Sequence, residues 1–205
     1  MLKLSELNER EASLIQRGLK ASGYYKGTCM GRPGPRTKES LDDYLAGTRT
    51  PIAQKLIDYA RAELGVRESP VDSNRGTDVY RFQKSTWLAG SGWPWCAAFI
   101  CFLCQKAGMT DNVRPRTAGA WDFENWARRT KANVSLLTPS NDNPIQAGDI
   151  LVYKFSHIGL ATKDEFHGIV STIEGNTDEA GSREGGGVYE QTRSTRHVRS
   201  IIRIR

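Results

Sequence analysis

Cys96 stands in the run Gly92-Trp93-Pro94-Trp95-Cys96-Ala97-Ala98-Phe99-Ile100-Cys101-Phe102, directly after a proline/aromatic break and at the first turn of an apolar helix. Helix N-termini present unpaired backbone N–H groups and a partial positive charge, which favour thiolate over thiol and can later receive an oxyanion. A thiol nucleophile also needs a base. The candidate is His157, in residues 156–160, which read as a strand following another at 148–153. Further on, Ile173-Glu174-Gly175-Asn176 supplies a carboxylate and an amide to orient the imidazole. Nucleophile, base and orienting group in this order suit acyl transfer at an amide carbonyl.

The geometry of the base can be built from the strands. A hairpin whose loop is Asp164-Glu165-Phe166-His167 sets His157 opposite Glu174, with Asn176 on the same face. Facing side chains of an antiparallel pair lie about 5 Å apart at Cβ, so the ring can donate Nδ1–H to the carboxylate and turn its other nitrogen to a thiol. Ile158, Leu160, Ile169 and Ile173 form the opposite, apolar face, and the small Gly159 and Ala161 beside His157 leave room for a helix terminus. Glu174 is preferred as third member because a carboxylate stabilises imidazolium more strongly than an amide; Asn176 is the alternative. The other histidines fall elsewhere, His167 in the hairpin loop and His197 on a terminal strand, and Asp149 reads as a turn or capping group.

Cys96, Cys101 and Cys104 have the spacing of an iron–sulfur motif, but the residues between them form a buried-helix pattern, and such clusters sit in irregular loops. Cys101 and Cys104 are better read as apolar core residues. With Cys29 they make four cysteines, which fit a reduced compartment without a disulfide framework. Glu68, Asp72 and Asn74 lack the alternating acidic pattern of a calcium loop, so no metal and no cofactor is expected.

These residues resemble the cysteine- and histidine-dependent amidohydrolase/peptidase (CHAP) family of bacterial and phage cell-wall lysis. The carriers are Trp95-Cys96-Ala97-Ala98-Phe99, Gly148-Asp149-Ile150 with Ser156-His157-Ile158-Gly159, and Glu174-Gly175-Asn176, together with the upstream stretch from Glu68 to Gly76. The resemblance implies an α+β, papain-like fold with the cysteine helix packed on an antiparallel sheet. It also implies a peptidoglycan hydrolase of the endolysin kind, acting as N-acetylmuramoyl-L-alanine amidase or as stem or cross-bridge endopeptidase. Trp95, Glu68, Asn74 and Gly76 are the candidate substrate-binding residues. The alternatives are an NlpC/P60-type cysteine peptidase, whose third member is usually a histidine, and a non-catalytic wall-binding or virion structural protein.

Bulk properties narrow the setting. The 205 residues carry a net charge of +6 and the mean hydropathy is −0.53, values of a soluble chain with an anionic partner. No aromatic residues interleave with the basic ones as in single-strand nucleic-acid platforms, no stretch is long enough to span a membrane, and the N-terminus lacks the apolar core of a secretory signal. Charge alone does not choose among nucleic acid, anionic lipid and cell-wall polymer; the resemblance implies the polymeric wall as partner, with no nucleic acid and no stable membrane association, and a monomer made in the host cytoplasm and released to its substrate. The arginine-rich run from Arg193 to Arg205 reads as a final strand with one solvated face.

Two parts follow along the chain. Residues 1–48 hold one helix with Leu14, Ile15 and Leu19 at helical spacing, ended by Gly23, and a second opened by Gly34-Pro35-Arg36-Thr37, with Thr37 as its cap. Leu14, Gln16, Leu19, the Gly23-Tyr24-Tyr25 corner and Gly31 are similar to the small three-helix peptidoglycan-binding module, from which Cys29-Met30-Gly31-Arg32-Pro33 departs. After a linker at 47–51, residues 53–205 form the catalytic part. Its helices are expected over 52–64, 96–108 and 118–127, with strands from Ile145 onward, an α+β layout.

Overall fold

The computed structural model describes residues 7–21, 24–25, 27–45, 51–130 and 133–205; Gly23 and residues 47–50 of the expected linker lie outside them. The chain divides into two compact units, Met1–Pro51 and Ile52–Arg205.

In the first unit α1 (Glu9–Ala21) opens on a reciprocal cap. Asn8 Oδ1 accepts the Glu11 N–H and Glu11 Oε2 accepts the Asn8 N–H, each at 3.0 Å, satisfying two of the donors a helix start leaves open. The helix packs through Ala12, Gln16 and Leu19, whereas Leu14, expected in the stripe, is exposed. Gln16 is the hub: its amide donates to Arg32 O and Thr37 Oγ1 and accepts from the Gly31 N–H. Thr37 is therefore not the cap of α2 (Pro35–Leu45) but an interior residue whose hydroxyl is engaged by Gln16. Pro35 takes the first helical position, where a missing N–H is harmless. This unit holds two helices among the described residues.

The second unit is α+β. Four helices, α3 (Pro51–Ala62), α4 (Thr77–Gln83), α5 (Cys96–Lys106) and α6 (Asp122–Arg129), precede the sheet strands β1 (Val134–Leu137), β2 (Ile150–Tyr153), β3 (Ile158–Ala161), β4 (Ile169–Thr177), β5 (Gly187–Ser194) and β6 (Val198–Ile204). The sheet runs β1-β6-β2-β3-β4-β5, antiparallel throughout. Neither α4 nor β1 is signalled in the sequence, since seven and four residues are too few to show a period. One sheet face, with Ile150, Val152, Ile158, Leu160 and Ile173, meets the helices, and α5 is buried along its whole apolar length. The other face carries a smaller cluster around Leu151, Tyr153, Val170 and Ile201. No helix among the described residues is long and apolar enough to cross a membrane.

Two expectations about the sheet are corrected. β6 lies between β1 and β2, and its two arginines divide: Arg199 is exposed, as expected of a solvated face, whereas Arg203 is not. Arg203 is buried and holds both oxygens of Asp149 at 2.8 and 2.7 Å, and Arg199 pairs with Glu124 over the Trp121 ring. The β3–β4 register is the second. The tight turn is His167-Gly168, with φ of 49° and 75°, the two positive values a two-residue hairpin loop demands. Residues 163–165 then bulge outward because Asp164 and Glu165 accept the backbone N–H groups of Ala147 and Ile145. Leu160 consequently pairs with Ile173, two residues from the expected register. An even shift keeps Ile158, Leu160 and Ile173 on the apolar face, whereas Ile169, expected there too, is exposed beyond the bulge.

Candidate active site

α5 begins without a side-chain cap of its own at Trp95. The residue that precedes the helix is held instead by β4. A bulge between Glu174 and Thr177, with Asn176 at φ 60°, turns the Asn176 amide so that Oδ1 accepts the Trp95 N–H while Nδ2 donates to Gly185 O at 3.1 Å. Gly175 lets the helix come this close: a Cβ there would lie 2.7 Å from Phe99 Cβ and 2.8 Å from Trp95 Cζ3. The N-terminal turn of α5 is thus seated directly on the strand that carries Glu174.

Of the candidate substrate-binding residues, Trp95 and Glu68 are buried, whereas Asn74 and Gly76 are half-buried. Trp95 is fully buried, stacked on Phe82 at 5.5 Å, and its indole donates to Glu68 Oε1 at 2.8 Å. It offers no surface to a ligand. Glu68 uses its second oxygen on the Asn74 N–H at 2.9 Å, and Gly76, at φ 132°, would place a Cβ 3.1 Å from Ser69 N. The Glu68–Gly76 segment is therefore a folded brace beneath the start of α5. Glu68 also lines a shallow depression of about 270 Å³ with Asp72, Asp178 and Tyr189.

His157 is fully buried, at the end of the short turn that joins β2 to β3. Its Nε2 donates to Glu174 Oε2 at 3.0 Å, so the nitrogen facing the carboxylate is the reverse of the expected one. The reason is the register: Glu174 lies opposite Gly159, whose absent Cβ would fall 2.7 Å from Glu174 Cγ, and reaches His157 diagonally. Nδ1 is left without a conventional hydrogen bond, and the polar side chain acting on that ring besides Glu174 is Cys96. Burial pulls the imidazole pKa down, but Cys96 and Glu174 outweigh it and carry it from 6.5 up to about 9. Burial pushes Glu174 up, yet Arg193 and then His157 hold it down at about 2. At neutral pH the pair is an imidazolium against a carboxylate.

Asn176, the alternative third member, has its amide committed to Trp95 and Gly185. Three further residues surround Glu174 that the sequence did not single out: Arg193, Tyr153 and Thr172. Thr172 is legible in retrospect, two residues before Glu174 on the same strand face. Arg193 has no local signal, because only the β4–β5 register brings it there.

The three cysteines of α5 differ sharply. Burial pushes the Cys101 thiol up to about 12 and raises Cys104 well above its ordinary value, and Cys101 also donates to Thr117 O. Under native conditions iodoacetamide should therefore label Cys96 at least tenfold faster than either, as read by mass mapping of the α5 peptide. Equal labelling would mean that the helix start confers nothing.

No protein-family profile matches the chain, and no curated protein matches it. Among solved structures it is similar to one described as the crystal structure of a wild type endolysin, LysIME-EF1, with a TM-score of 0.46 and 16% identity over 74% of this chain and 63% of that one. The chain thus spans less than two thirds of that protein's length.

Proposed function

We propose that the chain is a peptidoglycan hydrolase of the CHAP type that cuts an amide bond of the wall peptide by cysteine catalysis. The observation that carries this reading is a fully buried histidine placed between a helix-start cysteine and an ionised glutamate. With its proton already held on His157, Cys96 Sγ attacks the amide carbonyl. The Cys96 backbone N–H, at the open end of α5, stabilises the oxyanion. His157 then passes the proton to the leaving amine, and water hydrolyses the thioester, with Glu174 holding the ring throughout. The motif resemblance over 68–176 points to the same chemistry, and the helical unit at 1–48 acts as a wall-binding tether. The substrate bond is N-acetylmuramoyl-L-alanine or one within the stem or cross-bridge.

The test is incubation of purified sacculi with wild type and Cys96→Ala, followed by labelling of new amino termini and mass spectrometry of released muropeptides. Wild type should release free amines at one bond type and Cys96→Ala should release none. Equal release by both would overturn the proposal, and wall binding without release would replace it with the non-catalytic reading.

A further inference from the structure

The carboxylate of Glu174 receives five hydrogen bonds. Oε1 accepts from Tyr153 OH at 2.9 Å, Thr172 Oγ1 at 2.7 Å and Arg193 Nε at 2.9 Å; Oε2 accepts from His157 Nε2 at 3.0 Å and from Arg193 Nη2. Arg193 therefore closes its planar fork on both oxygens at once, the geometry that most strongly fixes a carboxylate in orientation. Its third nitrogen, Nη1, is anchored to Gly181 O at 2.9 Å, and the guanidinium lies 5.6 Å from the centres of both the Tyr153 and Phe155 rings. Phe155 and Tyr153 in turn stack on the His157 imidazole.

We propose that Arg193 is a positioning residue of the active site: its fork on Glu174 keeps that carboxylate ionised and aimed at His157, and thereby keeps the thiol–imidazole pair reactive below neutral pH. This rests on reading Cys96, His157 and Glu174 as one unit, and adds to it a residue that never touches substrate.

Charge accounting around Glu174 explains why Arg193 is needed. Tyr153 from β2 and Thr172 from β4 are neutral donors, and His157 ahead of β3 is a cation only while it holds its proton. Cys96 of α5 acts on the ring rather than on the carboxylate. Arg193 of β5 is the permanent cation hydrogen-bonded to Glu174 among the described residues. Remove it, and a fully buried carboxyl is left with neutral hydroxyls and one titratable partner, conditions that favour the neutral acid. A protonated Glu174 no longer stabilises imidazolium, so His157 is less able to hold the proton that the thiol must give up.

The test compares wild type, Arg193→Gln and Arg193→Lys. The rate of iodoacetamide alkylation at Cys96 is measured from about pH 4 to 9 by peptide mass spectrometry, which needs no substrate, and hydrolysis of sacculi is followed in parallel. In Arg193→Gln the acid limb of alkylation should move up by about one pH unit, so that reactivity on that limb falls about tenfold relative to its alkaline plateau. Arg193→Lys, which keeps the charge but not the fork, should fall between. A merely structural Arg193 would lower the plateau or the melting temperature and leave the shape of the profile unchanged; superimposable profiles overturn the proposal. If Arg193→Gln fails to fold, the Arg193→Lys profile decides, and identity with wild type overturns it. Should the profile shift while wild type releases nothing from sacculi, the peptidoglycan reading falls and the role of Arg193 stands. Hydrolysis with an unshifted profile gives the reverse.

Discussion

His157→Ala lowers amide hydrolysis of purified peptidoglycan by about 10³-fold or more, and adding Cys96→Ala to it causes little further loss, because the two side chains work as one unit. Initial rates of amine release for the two single variants and the double variant check this. Losses that multiply would show two independent contributions and overturn the pairing. The same ring sets an alkaline boundary. Its pKa is raised from 6.5 to about 9, so the charged form and the stability it brings are fully present below 6.5 and are lost as pH rises through 9. Wild type should therefore lose both activity and melting temperature across that window, while His157→Ala, which has no group to titrate there, should melt with a flatter pH dependence.

Gly175→Ala disrupts the seat of α5. The added Cβ would meet Phe99 Cβ at 2.7 Å and Cγ at 2.8 Å, atoms next to the helix backbone that cannot swing away. Overpacking of this kind costs about 1–3 kcal/mol, which for a chain of this size lowers the melting temperature by roughly 2–4 °C per kcal/mol. Moving α5 also moves Cys96 relative to His157, so hydrolysis should fall together with stability. Gly159→Ala offers the contrast. Its Cβ would lie 2.7 Å from Glu174 Cγ, a side chain held by five hydrogen bonds, so the rate should drop further than the melting temperature does. Thermal melts and initial rates on the two variants separate the effects. A Gly175→Ala protein that melts like wild type would show that this glycine does not set the approach of α5.

The sequence by itself determined the features that depend on neighbours along the chain. The Pro94-Trp95-Cys96 break followed by an unbroken apolar run ends one element and starts a helix on the cysteine, and α5 begins there. Alternation around His157 and Glu174 places both on one strand face, and that survives because the true register differs from the expected one by an even number of residues. Helices first and antiparallel strands second is likewise local information, and the second unit is α+β. Tertiary structure decided what depends on distant partners. Asp164 and Glu165 bind backbone amides of Ala147 and Ile145, which moves the turn to His167-Gly168 and swaps the ring nitrogen that meets Glu174. Phe82 and Glu68 bury Trp95, which from its type alone could equally have lined a cleft. Asn176 reaches the α5 start only through a bulge, and Arg193 reaches Glu174 only through the pairing of β4 with β5. Periodicity and capping act over a few residues and can be read from spacing, whereas register and the pairing of buried charges are settled by the lowest-energy meeting of segments far apart in the chain.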